Sequence, residues 1–383
     1  MLIKNDSARR LTADRSRFFP LFGFLGLLVF FSLAACQPFP RFTIETLPTY
    51  EELFQPVRGW AGGDGAYSAA LGSDRFLWLF GDTLVAEDSR RVNFGLVSNS
   101  IGIQTGRDPR TASLAFLYPV LPDGRPAPFL QPQDGLGWIW PYQPVRTTEG
   151  LYLFLLQAVR TGPSSFDFRP VSNWLGYVGN PDEPPGRWVV SQRKIPWGDE
   201  ERQLGASVLL AGSYCYIYGT RDERGKGPGA RNMIIARVPA DKIGDFNAWR
   251  FFSDGGWTAE IAQAGRICRD VPSEFSVSFQ PSLNRYVLVY TEGGLSADIL
   301  IRLSPSPQGP WSRSTRVYRC PEMLQDPRIF CYAAKGHPEI ASTAGELIIT
   351  YVTNSKDLEV IRSNPTLYRP RFLTIHFTGN EQR

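Results

Sequence analysis

Acidic side chains lie at the ends of short apolar segments in this chain. Asp64 and Asp82 bracket one such segment, and Glu274 begins another. Glu339 follows His337 by two positions, so in an extended segment both side chains point the same way. Paired carboxyl groups suit the hydrolysis of glycosidic bonds, because one protonates the leaving oxygen while the other activates water or attacks carbon. The four acids are therefore the candidate catalytic residues.

Aromatic residues occur near these acids in the predicted arrangement. Trp138, Trp140 and Tyr142 alternate along one segment. Flat aromatic surfaces stack on the C–H face of a sugar ring and are typical of ligand pockets. With His337, they are the candidate substrate-binding residues.

Each candidate also has a structural interpretation. Asp64 lies in Gly-Gly-Asp-Gly and Asp82 in Phe-Gly-Asp-Thr, and aspartate beside glycine is a common turn former. Glu274 is compatible with a solvated strand end. The three aromatic residues are compatible with packing between sheets, and a lone histidine such as His337 is usually structural.

Five segments of one pattern contain these residues: a short strand, a turn and a strongly apolar second strand. They begin at Asp64, Trp140, Gly205, Glu274 and His337. The spacing of roughly 60 to 80 residues suits a four-stranded propeller blade with long loops. An antiparallel hairpin brings the start of its first strand and the end of its second to one face.

The sequence therefore predicts an all-β, glycosidase-like fold: a five-bladed β-propeller with four-stranded antiparallel blades and the acids at the mouth of a central channel. The 36 glycines and 31 prolines supply turns, and 43% of the 383 residues are hydrophobic. The run Leu77-Trp78-Leu79-Phe80 is apolar on both faces, as expected for a strand buried between blades. A two-layer sandwich is the alternative.

The amino-terminal residues have the pattern of a secretory leader. Basic residues precede an apolar run over 18–31, which ends in Leu-Ala-Ala-Cys at Cys36. This ending resembles a bacterial lipoprotein box, in which Cys36 receives lipid and becomes the mature amino terminus. An uncleaved membrane anchor is the alternative.

We accordingly expect four regions: a lipoprotein signal peptide over 1–35, a lipidated linker over 36–57, the propeller over 58–377 and a tail over 378–383. The protein would be exported and lipid-anchored to a bacterial membrane, facing the periplasm or the cell surface.

Charge and motifs exclude several classes of function. The net charge of +4 comes mostly from the leader, so the remaining chain is nearly neutral and gives no electrostatic reason to expect nucleic acid as a partner. The chain has no Gly-x-Ser-x-Gly, His-Glu-x-x-His, phosphate-loop or dinucleotide motif. We expect a monomer that binds a polysaccharide or oligosaccharide, and a lipid membrane through Cys36.

Four cysteines follow Cys36. Cys320 and Cys331 are the nearest pair, and in an exported protein we expect them to form a disulfide, with Cys268 as the rival partner. Cys215 lies in an apolar strand and is expected to be a buried thiol. With no Cys-x-x-Cys pair and two histidines, a structural zinc site is not expected.

Several motifs together resemble those of the bacterial exported propellers of domain-of-unknown-function family 4185, over about residues 58–377. These motifs are Gly-Asp-Gly-x-Tyr-Ser at 63–68, Leu-Trp-Leu-Phe-Gly-Asp-Thr at 77–83, Asn-Ser at 99–100, Gly-Pro-Trp at 309–311 and Tyr-Arg-Pro-Arg-Phe at 368–372. Some members resemble endo-acting D-arabinofuranose hydrolases, and the shape is similar to that of five-bladed arabinanase and fructanase propellers.

The resemblance implies roles for individual residues. Asp64 and Asp82 match the acids of the first-blade motif. Glu274, matched only by blade position, would be a proton donor, and His337 would be an axial residue near a water molecule or a calcium ion. No other cofactor is expected. The third repeat begins with Gly-Ala-Ser at Gly205, so a triad with an acid on that blade is not supported.

These observations predict a membrane-anchored, glycoside hydrolase-like protein acting on a cell-envelope or extracellular polysaccharide, such as an arabinan. Asp64 would act as base or nucleophile with help from Asp82, and Glu274 or Glu339 would donate a proton. The alternative is a non-catalytic carbohydrate-binding or envelope scaffold lipoprotein. A third hypothesis is a protein-binding platform.

Overall fold

The computed structural model describes residues 39–86, 94–164, 167–222 and 231–378. Twenty-five strands lie in these ranges. The first twelve are β1 (Arg41–Thr46), β2 (Gly59–Gly63), β3 (Tyr67–Gly72), β4 (Arg75–Phe80), β5 (Thr83–Ala86), β6 (Phe94–Val97), β7 (Ser100–Thr105), β8 (Ser113–Leu117), β9 (Trp138–Arg146), β10 (Leu151–Arg160), β11 (Phe168–Val178) and β12 (Val190–Ile195). The others are β13 (Arg202–Ala211), β14 (Tyr214–Arg221), β15 (Arg231–Pro239), β16 (Arg250–Ser253), β17 (Gly256–Thr258), β18 (Cys268–Val271), β19 (Phe275–Gln280), β20 (Arg285–Thr291), β21 (Asp298–Ser304), β22 (Thr315–Arg319), β23 (Ile329–His337), β24 (Glu346–Ser355) and β25 (Pro370–Thr378).

Helices are short in the described ranges, and none is long and apolar enough to cross a membrane. The α-helices are α1 (Pro48–Leu53), α2 (Glu322–Gln325) and α3 (Leu358–Ser363). Single 3₁₀ turns occur at Pro185–Arg187, Phe246–Ala248, Ile261–Gln263, Pro281–Leu283 and Pro338–Ile340.

The strands form antiparallel sheets in chain order. Sheet 1 is β3-β4-β7-β8, sheet 2 is β9-β10-β11-β12, and sheet 3 is β13-β14-β15-β16-β17 with β18 also on β15. Sheet 4 is β19-β20-β21-β22, sheet 5 is β23-β24-β25-β1, and β2-β5-β6 form a small extra sheet. The protein is thus an all-β fold built mainly from four-stranded antiparallel sheets.

The first strands of the five sheets contact one another in sequence, and β23 of sheet 5 also contacts β3 of sheet 1. At least one hydrogen bond joins each neighbouring pair. These bonds include Gln143 Nε2 to Ser68 O (2.6 Å), Tyr142 Oη to Gln203 Oε1 (3.1 Å), Val277 N to Ser207 Oγ (2.8 Å), Gly336 N to Ser276 Oγ (2.6 Å) and Ser68 Oγ with His337 Nδ1 (2.5 Å).

The second strands of sheets 1 and 2 are buried on both faces. Every residue of β4 from Phe76 to Phe80 is buried, and so are Leu151–Ala158 of β10. A strand packed between two neighbouring sheets has no face left for water, which explains its continuous apolar sequence. This feature was predicted from the sequence.

The segment expected to be a linker contains structure. From Arg41 onward, β1 pairs with β25 as the fourth strand of sheet 5. In and after α1, the ring of Tyr50 stacks 5.2 Å from that of Phe372, and the ring of Phe54 lies 4.9 Å from that of Trp78. Residues 41–54 thus pair with and pack against strands of the described fold.

Four of the five repeats coincide with the first hairpin of a sheet, and the fifth is displaced. Its apolar strand is β24, but His337 ends β23 instead of beginning it. The residues after His337 form a 3₁₀ turn between the two strands. His337 therefore ends the first strand of sheet 5, where it was expected to begin that strand, and Glu339 lies in the turn before β24.

Candidate functional site

Asp64 and Asp82 occupy neighbouring turns at the starts of β3 and β5. The backbone N–H of Asp64 donates to Asp82 O (3.2 Å), and the N–H of Gly81 donates to Asp64 O (3.0 Å). A Cβ atom at Gly81 would collide with Asp64 Oδ1. The glycine in Phe-Gly-Asp-Thr is thus required for the carboxyl group of Asp64 to sit above that turn.

The half-buried carboxyl group of Asp64 accepts hydrogen bonds from two tyrosines. The hydroxyl groups of Tyr332 (2.8 Å) and Tyr368 (3.3 Å) both donate to Oδ2. Burial, followed by the charges of Asp82 and Glu274, raises the pKa of Asp64 well above its usual range, against the effect of the Tyr332 hydrogen bond. Asp64 thus holds a proton at pH values where an exposed aspartate has lost it.

Asp82 is also half-buried, and it contacts an aromatic cluster. The indole N–H of Trp140 donates to Asp82 Oδ1 (2.7 Å). Burial raises the pKa of Asp82 to about 6, although the Trp140 hydrogen bond and the charge of Arg160 oppose the shift. Near neutral pH, Asp82 is therefore the more acidic of the two aspartates.

The structure brings two of the three predicted aromatic residues together. Trp138 and Trp140 are partly exposed, with ring centroids 5.5 Å apart, and Phe168 lies 4.8 Å from Trp140. Tyr142 is buried, and its ring lies 5.7 Å from that of Tyr67. Trp138, Trp140 and Phe168 form an aromatic cluster beside Asp82, whereas Tyr142 belongs to the interior.

Glu274 forms an ion pair with a buried lysine that sequence analysis missed. Lys335 Nζ lies 3.3 Å from Glu274 Oε1 and donates to Ala333 O (3.0 Å). It also lies 4.2 Å from the centre of the Tyr67 ring. Burial lowers the pKa of Lys335, while the charges of Glu274 and Asp64 oppose this change. The site therefore combines three carboxyl groups with one cation.

A β-bulge in β23 places two residues in this site. The register of β23 against β24 shifts between Tyr332 and Lys335, and Ala333 has a left-handed φ of 57°. In a regular strand, residues three apart face opposite sides of the sheet. Because the bulge adds a residue, Tyr332 reaches Asp64 and Lys335 reaches Glu274. The one signal in the sequence is a lysine within the apolar segment Ile329–His337.

His337 and Glu339 form a second cluster with Ser68 of β3. His337 Nδ1 lies 2.5 Å from Ser68 Oγ, and Nε2 lies 2.7 Å from Thr350 Oγ1. The Ser68 hydroxyl group also contacts Glu339 Oε1, which lies 3.8 Å from His337 Nδ1. Ser68 and Glu339 thus share one side of the imidazole ring, and Ser68 is buried, so this is not the arrangement of a serine nucleophile with its base.

His337 and Glu339 of the second cluster shift each other's pKa, and the charge of Lys335 in the aspartate site also acts on His337. Burial lowers the pKa of His337. For Glu339, burial acts to raise the pKa, but the hydrogen bonds and charge of His337 and the bond from Ser68 outweigh it and lower the pKa. Glu339 is therefore held ionised, and Ser68, not Asp64, is its partner on β3.

The contacts of His337 bear on the calcium ion that the family resemblance places near it. Within the described ranges, no group of three or more histidine, cysteine or acidic residues is arranged to hold a metal ion. Both ring nitrogens of His337 are occupied by hydrogen bonds.

The side chains of Cys320 and Cys331 contact each other, but as buried free thiols and not as the expected disulfide. Cys215 and Cys268 are also buried free thiols. Cys36 lies outside the described residues.

Several solved structures are similar to this chain, and one of them superposes with a TM-score above 0.5. A protein described as a putative hydrolase from Bacteroides ovatus superposes with a TM-score of 0.71 at 19% identity, covering 87% of this chain and 90% of that chain. An α-L-arabinofuranosidase from Lactobacillus brevis gives a TM-score of 0.49 at 13% identity, covering 84% of this chain and 92% of that one. A thermostable family-43 glycoside hydrolase gives 0.47 at 14% identity, covering 85% and 93%.

These comparisons define the class as an all-β fold of antiparallel four-stranded sheets shared with the Bacteroides ovatus protein. The chain belongs to the family of the domain of unknown function DUF5005, whose model matches residues 48–377. The resemblance to family 4185 is not confirmed. No curated protein matches the chain.

Proposed function

We propose that this chain is a glycoside hydrolase-like protein that binds and cleaves a polysaccharide at Asp64 and Asp82. One observation carries the proposal: two half-buried aspartates sit on hydrogen-bonded turns, and the pKa of each is raised. Perturbed carboxyl groups gathered at one position are typical of catalytic sites. The description of the Bacteroides ovatus protein as a hydrolase agrees with it.

The charges favour specific roles for the acids. Asp64, whose pKa is well above the usual range, holds the proton that passes to the glycosidic oxygen as the C–O bond breaks. Asp82, whose pKa is about 6, is ionised at neutral pH and accepts a proton from the water that adds to the anomeric carbon. Glu339 is held ionised by His337 and Ser68, which makes it a poor donor.

The aromatic cluster would bind the sugar. Trp138, Trp140 and Phe168 are partly exposed, and Trp140 is hydrogen-bonded to Asp82. A pyranose or furanose ring stacked on this cluster would lie directly beside the carboxyl group. The ligand class we propose is therefore a neutral oligosaccharide or polysaccharide, with an arabinan as the first substrate to test.

The closure of the sheets into a propeller and the location of the protein in the cell are part of the same proposal. We propose that the five sheets close into a five-bladed propeller, which is supported by the contact between β23 and β3 and by the five hydrogen bonds between first strands. We also propose that the monomer is exported and lipid-anchored through Cys36, which the leader pattern supports.

The decisive experiment incubates the protein beginning after Cys36 with a panel of polysaccharides that includes arabinans, and measures new reducing ends. Asp64→Asn and Asp82→Asn should each lower the rate at least ~100-fold, in line with removal of an acid or base. Asp241→Asn, at an exposed position, is the control and should retain activity. Full activity in both site variants would refute the assignment.

A non-catalytic carbohydrate-binding protein is the second candidate. The observation in its favour is that two tyrosine hydroxyl groups already occupy Oδ2 of Asp64. If this candidate is correct, calorimetry should detect binding of a glycan from the panel. No reducing ends should then appear during prolonged incubation.

A further inference from the structure

The outer part of sheet 3 carries partly exposed aromatic side chains on one of its faces. On β14, Tyr214 and Tyr216 are partly exposed, whereas Cys215 between them is fully buried. The ring of Trp257, on β17, lies 6.1 Å from that of Tyr216 and 5.3 Å from that of Phe252. Sheet 3 supplies none of the residues described above in the aspartate site, so these rings form a separate surface.

Arg237 of β15 lies between two of these rings. Its Cζ atom is 4.5 Å from the centre of the Tyr214 ring and 4.3 Å from the centre of the Trp257 ring. A guanidinium group is a rigid planar fork of N–H donors, so stacking between rings fixes the directions of those donors. The Nε atom is buried and has no hydrogen-bond partner in the part of the chain that the structure describes.

A second arginine lies directly across from the first. Arg250 of β16 pairs with Arg237 in the antiparallel register, so both side chains stand on the same face of the sheet. Arg250 is exposed, and its Nη1 donates to the carbonyl oxygens of Asn247 and Trp249 (2.8 Å each). Among the residues that the structure describes, neither arginine forms an ion pair. Like charges directly opposite each other repel, so an anion bound between them would relieve that repulsion.

The combination of two unpaired arginines with aromatic rings favours one class of ligand. A guanidinium group binds a carboxylate through two parallel hydrogen bonds, and partly exposed aromatic rings cover the C–H face of a sugar. A neutral glycan would leave both cations without a partner. A small inorganic anion would leave the rings uncovered. A sugar that carries a carboxylate group satisfies both.

We propose that the outer face of sheet 3 is a second binding site, and that its ligand is an acidic polysaccharide built from uronic acid units. The carboxylate groups pair with Arg237 and Arg250, and the sugar rings lie on Tyr216 and Trp257. The inference goes beyond the proposed function, because this site lies apart from Asp82 and its partners and requires no cleavage.

The test measures binding to the full chain by calorimetry, with oligomers of galacturonate, glucuronate and mannuronate as probes. The protein should bind at least one of them. The methyl ester of that oligomer, which has the same rings without the charge, should bind roughly tenfold more weakly or worse. Arg250→Gln, at an exposed position, should lower the affinity for the acidic oligomer by a similar factor. Arg193→Gln is the matched control, because its guanidinium group also lies 4.8 Å from an aromatic ring, that of Phe246, but belongs to sheet 2. It should leave the affinity unchanged.

Several outcomes would overturn the inference. These are the absence of binding by all three acidic oligomers, equal affinity for the methyl ester, and an unchanged affinity in Arg250→Gln. Vesicles of phosphatidylglycerol provide a phosphate-bearing surface for comparison. Vesicle binding that Arg250→Gln removes, without binding of any oligomer, would assign the arginines to lipid instead. Asp82→Asn should retain the affinity, and its loss there would place the ligand at the aspartate site and overturn the inference. None of these measurements depends on glycan cleavage, so a negative result in the polysaccharide panel leaves this test intact.

Discussion

Two aspartates with raised proton affinity make the site sensitive to pH in a predictable direction. The pKa of Asp82 is raised to about 6 mainly by burial, so between about pH 4 and 6 the folded protein binds more protons than the unfolded chain. The free energy of unfolding therefore falls as pH rises through this window. The stabilising form is the protonated one, opposite to an aspartate in a salt bridge.

Asp82→Asn should remove the part of this dependence that Asp82 contributes, and the part due to Asp64 should remain. The variant carries a neutral side chain whose oxygen still accepts from Trp140, so we expect it to be more stable than the unaltered protein at pH 7 by about 1 to 3 kcal/mol. Urea unfolding at pH 4, 5, 6 and 7 measures the change. Asp241→Asn is the matched exposed control. A variant with the same pH slope as the unaltered protein would contradict the prediction.

Tyr332→Phe should move the pH profile of hydrolysis. The Tyr332 hydroxyl group lowers the pKa of Asp64, so its loss raises that pKa further. Because the proposed donor must be protonated, the alkaline limb of kcat/KM should shift to higher pH. Tyr177→Phe, which removes a hydroxyl group bonded to Glu149 O in sheet 2, is the control. An unshifted limb with normal folding would argue against Asp64 as the donor.

Two buried asparagine side chains join neighbouring sheets in the same way, by hydrogen bonds to backbone groups. The side chain of Asn99 bonds to Leu130 O (2.7 Å), Leu130 N (2.7 Å) and Ile139 O (2.9 Å), which fixes the start of β9. In the next sheet, Asn173 bonds to both backbone groups of Leu204 and fixes the start of β13. Both asparagines are fully buried.

Asn99→Ala should destabilise the protein by about 2 to 4 kcal/mol, because it leaves buried backbone groups of Leu130 and Ile139 without partners. Chemical unfolding measures this loss. Asn247→Ala, at an exposed position, should change stability by less than about 0.5 kcal/mol. Equal stabilities of the two variants would show that Asn99 does not join the sheets.

Hairpins were predictable from the sequence because a buried second strand needs a continuous apolar run. The same rule misplaced His337, since it located β24 correctly but not the strand before it. It also missed Tyr332 and Lys335, because the extra residue of a bulge breaks the two-residue alternation on which strand predictions depend. Asp64 and Asp82 were selected as candidates because they bracket the first apolar segment, and the structure places both in turns. The neighbours that set their charge come from sheets distant in sequence.

The arrangement of the whole molecule depends on contacts between residues far apart in the chain. Sheet 5 contains β1 and β25, from opposite ends of the described residues, and all six residues of β1 pair with β25. Its strand β23 contacts strands of sheets 1 and 4. The amino-terminal segment thus contributes to the same sheet that supplies Tyr332 and Lys335 to the site.

Removing β1 should weaken the whole protein. A chain beginning at Leu47 leaves one edge of β25 without its partner, so we expect a lower free energy of unfolding, by about 3 kcal/mol or more, and a greater tendency to aggregate through that edge. Thermal unfolding and light scattering compare it with a chain beginning at Pro40. Equal thermal stability of the two chains would contradict the prediction.

Pairing of β1 with β25 also bears on biosynthesis. During synthesis from the amino terminus, Arg41–Thr46 emerges early and has no partner until Pro370–Thr378 has followed. Throughout that interval the nascent chain exposes an unpaired strand edge, so its final sheet forms only after translation has passed residue 378. Ribosome stalling or premature termination before that point would leave the molecule open at the very sheet that completes the acid cluster.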